Sequence, residues 1–119
     1  MAGDRVNITI PNETGYETLT VSIAASYGVV IENRDGTARD LTTDTLTVAA
    51  KLDTTTKTLV FAADANQTTT GKGKATLTIP AAQLGAAGTL YVDLMVTKSG
   101  GSANIGKRLQ WTVIVNVTA

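Results

Sequence analysis

The sequence of 119 residues contains no cysteine and no histidine. Without cysteine, disulfides and thiolate chemistry are excluded. Without histidine, the chain lacks the commonest general base and a frequent metal ligand, so a Ser-His-Asp triad cannot form. A pair of carboxylates for glycoside hydrolysis remains open, but no local pair of acids indicates one. Catalysis is therefore the weakest class of function for this chain, and we expect neither an enzyme nor a bound cofactor.

Aromatic residues and charge blocks are also scarce. One tryptophan, three tyrosines and one phenylalanine offer few rings for stacking on a sugar. Ten basic and ten acidic side chains are scattered singly, and their formal net charge is zero. The absence of a basic block argues against a nucleic-acid partner. No apolar run approaches the roughly 20 residues of a bilayer span, which argues against a membrane-spanning role.

The apolar residues that are present recur at every second position, which is the period of a strand. A chain of this length suits one domain with one hydrophobic core. The pattern predicts seven or eight short strands in an all-β, antiparallel, immunoglobulin-like β-sandwich over residues 1–119, with residues 1–7 as a flexible arm. The alternating inward positions are Val6 to Ile10, Leu19 to Ala25, Leu46 to Leu52, Leu59 to Ala63, Ala75 to Ile79, Leu90 to Val96 and Leu109 to Val117.

Polar and glycine-rich segments separate these strands. Asp35-Gly36 is typical of a turn within residues 32–44. Gly71 and Gly73 predict a mobile loop within residues 64–74. The segment AAQLGAAG, residues 81–88, follows Pro80 and is compatible with one helical turn between two strands. Val29 to Ile31 predicts a shorter strand of its own.

Trp111, Phe61 and Leu94 take inward positions, which predicts that they anchor the core. In the stretch GTLYVDLMVTKSGG, Asp93 takes the opposite position to the inward Leu and Val residues, which favours a solvated carboxylate over a buried catalytic acid.

Apolar residues at outward positions are more informative about partners. Tyr91 and Met95 flank Asp93 on one face, and Val30, Val60 and Ile114 are also outward. Several such residues on a small domain indicate a partner surface. The final alternating strand is a second candidate, because an unpaired edge accepts another chain. We therefore take Tyr91, Asp93, Met95, Ile114 and Val60 as the candidate interface.

Two segments suggest ligand sites, each with a simpler interpretation. Asp35, Asp40 and Asp44 fall in one polar stretch, but their spacing is not that of a calcium-binding loop, so turns and strand entry explain them better. Gly71-Lys72-Gly73-Lys74 is superficially similar to a phosphate cradle, but it lacks the Walker spacing and the following helix. A hairpin loop is the better interpretation there.

From about residue 34 onward, the order of features resembles the N-terminal immunoglobulin-like domain of phage upper-baseplate and related tail proteins. The residues that carry this resemblance are NRDGTARDLTTDTLTVAAKL, KGKATLTIPAAQLGAAGTLYVDLMVTKSGG and RLQWTVIVNV. In that family a D-G-x-x-x-D-L-T element opens a strand. A helical turn then leads to a Gly-aromatic strand, and a Gly-rich hairpin leads to the last one.

The resemblance implies a structural protein of a tailed-phage virion that docks onto other virion proteins and performs no chemistry. Upper-baseplate proteins continue into a receptor-binding region, whereas this sequence stops, which favours a capsid decoration (cement) protein or a tail adaptor. The implied partners are the major capsid protein or a tail or baseplate protein, with many copies or a homo-oligomer in the particle. The sequence MAGDRVNITI shows no secretory signal, so we expect synthesis in the host cytoplasm. The alternative is an adhesin module that binds a host-surface glycan.

Overall fold

The computed structural model describes residues 6–10, 18–33, 35–97 and 107–115. This part of the chain forms nine strands and one short 3-10 helix, Ala81–Gln83. The strands are β1 Val6–Thr9, β2 Thr18–Thr20, β3 Ala25–Asn33, β4 Thr45–Leu52, β5 Thr55–Lys57, β6 Val60–Ala63, β7 Lys74–Ile79, β8 Gly88–Thr97 and β9 Lys107–Ile114.

The strands form two sheets that enclose one core. One sheet has four strands in the order β1-β3-β7-β6, and the other has five in the order β2-β9-β8-β4-β5. Neighbouring strands are antiparallel except β2 and β9, which are parallel. The predicted all-β immunoglobulin-like sandwich is confirmed. The count exceeds the predicted seven or eight because β2 and β5, three residues each, pair with longer neighbours.

The core is built from the inward positions that alternation predicts. Leu90, Val92, Leu94 and Val96 are fully buried along β8. Trp111 and Phe61 are buried in the same hydrophobic cluster as Leu94, in agreement with their assignment as core anchors. The ring that lies beside Trp111 is Tyr27, at 4.8 Å between centroids and 34° between planes. Tyr27 stands on β3 of the opposite sheet, so this ring pair joins the two layers.

The prediction of one strand across residues 18–25 is wrong. Leu19 is buried, but the chain turns at Val21 and Ser22, and Ile23 is exposed. Ser22 adopts a positive φ of 64°, which ends the extended backbone there. The chain crosses from the five-stranded to the four-stranded sheet at this turn, so two strands share one run of alternating residues.

Three smaller expectations also change. The predicted short strand at Val29 to Ile31 is the middle of β3, which has nine residues. Val115 is exposed because β9 ends at Ile114, whereas Val117 lies outside the described residues. Of the predicted flexible arm, residues 1–5 also lie outside them. Val6 and Asn7 belong to β1 and pair with Asn33 and Glu32.

The loop between β6 and β7, for which the sequence predicts mobility, is built around a buried side chain. Gln67 is buried, and its Nε2 group donates to the carbonyls of Asp64, Gly71 and Lys74. Its Oε1 atom accepts hydrogen bonds from the backbone N–H groups of Leu41 and Gly73.

Glycine is required at two positions of this loop. A Cβ atom on Gly71 would lie 1.9 Å from the carbonyl oxygen of Ala65. Gly73 has a φ of 74°, and a Cβ atom there would lie 2.7 Å from the carbonyl oxygen of Ile31. The glycines that suggested mobility therefore permit close packing.

Candidate interaction face

The predicted interface residues of β8 lie on the outer surface of the five-stranded sheet. We call the surface formed by Ala49, Lys51, Tyr91, Asp93, Met95 and Arg108 the β8 face. The register places Lys51 of β4 opposite Tyr91, and Ala49 opposite Asp93. On the other side of β8, Arg108 of β9 lies opposite Asp93. Because residues that are directly opposite share a side of the sheet, all these side chains belong to one surface.

Asp93 and Arg108 form a bidentate ion pair across β8 and β9. The Arg108 Nε atom donates to Oδ1 at 2.8 Å, and Nη2 donates to Oδ2 at 3.2 Å. The Arg108 hydrogen bond lowers the pKa of Asp93, and Asp93 in turn raises the pKa of Arg108. Both side chains are accessible, 46% for Asp93 and 79% for Arg108, so water screens the pair and its stabilising effect is small. What the pair fixes is the orientation of the guanidinium group.

A shallow depression of about 630 Å³ opens between these residues. Ala49 occupies the position opposite Asp93 with a single methyl group, so longer side chains surround a low point in the surface. The charged residues of the lining are Lys51, Lys57, Asp93 and Arg108, and Tyr91 adds an aromatic ring. Lys57 lies opposite the buried Ala50 and so takes the inner side of the sheet. Among the described residues, the outer surface of the depression therefore carries two cations, Lys51 and Arg108, and one carboxylate, Asp93.

The candidate interface residues do not form one compact patch. Tyr91 is 42% exposed, Met95 39% and Ile114 44%. Ile114 is an outward residue of β9, and Tyr91 of β8 lies opposite Gln110 of β9. Ile114 is four residues from Gln110 towards one end of the sheet, whereas Met95 is four residues from Tyr91 towards the other end. At about 3.4 Å per residue, Ile114 and Met95 stand roughly 27 Å apart along the strands. Val60, 52% exposed, is on β6 of the other sheet.

The three aspartates of the polar stretch, Asp35, Asp40 and Asp44, each bind a different partner within the protein. Asp35 accepts hydrogen bonds from the backbone N–H and the hydroxyl of Thr37, and Asp40 accepts the same pair from Thr42. In both cases the threonine hydroxyl bond is the main cause that lowers the pKa of the carboxyl group. Asp44 pairs with Arg39 and is almost fully buried. Within the described residues, no three acidic side chains meet in a group that would hold a metal ion.

The segment Gly71 to Lys74 does not present a phosphate cradle. Such a cradle needs several backbone N–H groups directed at the anion. Here all four are donated within the loop: Gly71 to the carbonyl of Asn66, Lys72 to that of Thr69, Gly73 to Gln67 Oε1, and Lys74 to the carbonyl of Gly71. This segment is a structural turn.

Sequence reasoning missed two features of these sites. The sequence does not identify Arg108 as a partner of Asp93, because their pairing depends on the register of β8 and β9. Gln67 lies in a polar segment and gave no signal of burial. The alternation of the last strand did place Arg108 on the outward side, so the pairing follows once the register is known.

Comparisons with known proteins support the fold. No family model matches the chain, and no curated protein matches it. Among solved structures, the chain is similar to domains 4 and 5 of the S-layer protein SbsC, with a TM-score of 0.59 and 14% identity over 91% of this chain. It spans 51% of that fragment, about half its length. It is also similar to the Lin-41 filamin domain, with a TM-score of 0.59 and 10% identity over 94% of each chain.

These identities are low, so the likeness concerns the fold alone. Both neighbours are consistent with an immunoglobulin-like β-sandwich. Within the described part of the chain, no helix has the length and apolar character needed to cross a membrane.

Proposed function

We propose that this chain is a non-catalytic assembly module that binds other proteins through the β8 face. The observation that carries the proposal is the exposure of Tyr91 and Met95 on a strand whose inward residues are fully buried. When a partner covers large apolar side chains that a rigid sheet exposes to water, their burial stabilises the complex. The lining of the adjacent depression contains one carboxylate, Asp93, which is already paired with Arg108. A pair of carboxylates for hydrolysis is not assembled there.

The narrower form of the proposal is a structural protein of a tailed-phage virion, either a capsid decoration protein or a tail or baseplate adaptor. It is supported by the sequence resemblance to phage upper-baseplate domains. The S-layer neighbour, a domain pair of a surface-layer protein, supports only the broader idea that this fold serves in assemblies. In the virion the chain binds the major capsid protein or a tail protein and is present in many copies.

Mass spectrometry of purified particles tests the narrower proposal. Particles from a phage lysate that expresses the chain are purified by density gradient, and the chain is quantified against the major capsid protein. We expect many copies per particle that resist a salt wash. Absence from particles whose capsid and tail proteins are all detected would end the virion proposal.

The alternative is a module that binds a host-surface glycan. The observation in its favour is the aromatic ring of Tyr91 beside a depression with hydrogen-bonding side chains. A glycan array with the purified protein decides between the two. Specific glycan binding that is lost in Tyr91→Ala would favour the adhesin.

A further inference from the structure

We propose that the partner surface recognised by the β8 face is an acidic, extended protein segment whose carboxylates enter the depression above Ala49. This inference rests on the proposed function, because it specifies the partner of the same face. It adds a chemical class of partner, and it distinguishes an acidic protein from a second copy of this chain.

The local charge selects the partner. The chain as a whole is neutral, with ten basic and ten acidic side chains. The β8 face nevertheless combines two cations, Lys51 and Arg108, with one acid among the described residues, Asp93. Since Asp93 is paired with Arg108, a net positive charge remains on this surface and attracts an anionic partner.

A second copy is disfavoured by the same charges. A two-fold dimer through the β8 face would be isologous, so both copies would bring the same surface, with two cations and one acid that is already paired, to the interface. Like charges placed opposite one another in an interface oppose association. A partner with several carboxylates is instead attracted by the cations of the β8 face.

Arg108 is prepared to bind such a carboxylate. A guanidinium group has five N–H donors, and Asp93 accepts two of them, through Nε and Nη2. Within the part of the chain that the structure describes, the other three N–H donors have no acceptor, on a side chain that is 79% exposed. Because Asp93 already fixes the guanidinium plane, a partner carboxylate meets an ordered donor and less conformational entropy is lost on binding.

Ala49 provides the space that an incoming segment needs. Its side chain is the smallest among the opposite pairs along the β8 face, between Thr47 opposite Met95 and Lys51 opposite Tyr91. A carboxylate above this methyl group has Lys51 two residues along the same strand and the Asp93–Arg108 pair across the neighbouring strands, so it contacts Arg108 at the N–H groups that Asp93 does not occupy. Tyr91 and Met95 then cover the stem of the incoming residues, which joins the apolar and the charged parts of the face into one site.

The test uses a hexaglutamate peptide as the probe, titrated into the ¹⁵N-labelled protein. We expect amide shift changes concentrated at Ala49, Lys51, Tyr91 and Arg108, and we expect weaker binding as salt is raised. Replacing both cations, Lys51→Gln with Arg108→Gln, should weaken binding about tenfold, which corresponds to two solvent-exposed ion-pair contacts.

A steric pair of variants provides the matched control. Ala49→Trp fills the depression without changing any charge, whereas Ala62→Trp places the same side chain on the outer surface of the other sheet. Both alanines are exposed strand residues, so both variants should fold. We expect loss of peptide binding in Ala49→Trp alone. Equal binding by both variants, or shift changes on the four-stranded sheet, would overturn the inference.

A carboxylate-bearing oligosaccharide, a hyaluronate octamer, separates the two sources of anionic groups. Binding of hyaluronate without hexaglutamate would overturn the acidic-protein inference and favour the adhesin. If neither probe binds and the chain is nevertheless abundant in purified particles, the inference fails and the proposed assembly function stands. If the chain is absent from particles, the virion proposal fails whatever the probes show.

Discussion

At the scale of single residues, the most consequential side chain is a glutamine in a polar segment. Gln67 bonds to five backbone groups, three carbonyls and two N–H groups, in a partly buried site. The amide suits the task because its oxygen has two lone pairs for the two N–H groups, and its two N–H hydrogens are shared among the three carbonyls. It ties the loop before β7 to Leu41 in the segment before β4.

We expect Gln67→Ala to lower the free energy of unfolding by about 2–4 kcal/mol, since it removes the acceptor of the Leu41 and Gly73 N–H groups at a buried position. Thr68→Ala, at the exposed neighbouring position, is the control and should change it by less than about 0.5 kcal/mol. Urea unfolding monitored by Trp111 fluorescence measures both. Similar midpoints for the two variants would show that Gln67 does not hold the loop.

The carboxylates predict how stability depends on pH. The hydrogen bonds of Thr37, Thr42 and Arg108 lower the folded-state pKa values of Asp35, Asp40 and Asp93, respectively, below the reference of 3.8. A lowered folded pKa stabilises the protein above the unfolded value, and that contribution is lost as the pH falls below it. Because the chain has no histidine or cysteine, the unfolding midpoint should be flat from about pH 5 to 9 and fall below about pH 4. A steep change near neutral pH would contradict this account.

At the scale of secondary-structure elements, sequence predicts some strands well and others poorly. β4, β7 and β8 follow from alternation because each keeps one face against the core for its whole length. Leu19 to Ala25 keeps the same alternation across a turn, since Ser22 can adopt a positive φ without interrupting the pattern of apolar residues. Alternation therefore indicates which side of a strand is buried, but it does not indicate where the chain changes sheets.

Register is the other quantity that alternation leaves undetermined. The outward positions of β8 and β9 predict that Asp93 and Arg108 lie on one surface, but their contact depends on the pairing Asp93↔Arg108. A shift of two residues would preserve every buried side chain of these strands and separate the two charges. For this reason the candidate residues were predictable, whereas the ion pair and the depression were not.

The loop of residues 66–74 gives a prediction at this scale. The N–H groups of Gly71, Lys72, Gly73 and Lys74 are all bonded within the loop. Their amide hydrogens should therefore exchange at least about tenfold more slowly than in a free peptide of residues 64–74, which cannot hold Gln67 buried. Hydrogen exchange followed by NMR measures both. Peptide-like rates in the intact protein would restore the mobile loop that the glycines suggested.

At the scale of the whole molecule, the sandwich depends on the contacts between its two sheets. Trp111 on β9 is 1% exposed and contacts Tyr27 on β3. Trp111→Ala should lower the free energy of unfolding by about 3–5 kcal/mol, a large share of a small domain's stability. Trp111→Phe, which retains a ring, should cost clearly less. Denaturant unfolding followed by far-ultraviolet circular dichroism compares them, and equal losses would mean that the Tyr27 contact contributes nothing specific.

The two outer surfaces of the sandwich allow the assembly face itself to be tested. Tyr91→Glu with Met95→Glu places two carboxylates on the β8 face, where both side chains are exposed. The variant should therefore fold with a nearly unchanged unfolding midpoint. A partner that buries these positions would have to desolvate two new charges, and an acidic partner would also be repelled, so binding should be lost. Co-sedimentation of the purified variant with particles lacking the chain measures this.

Val60→Glu with Ala62→Glu is the matched control, because it adds the same charges to exposed residues of β6 on the other sheet. The control should bind particles normally if the β8 face is the interface. The opposite result, normal binding of the Tyr91 and Met95 variant and failure of the control, would move the interface to the four-stranded sheet, where Val60 lies. Because a sandwich has two separate outer surfaces and each pair of substitutions alters one of them, the comparison identifies the sheet that meets the partner.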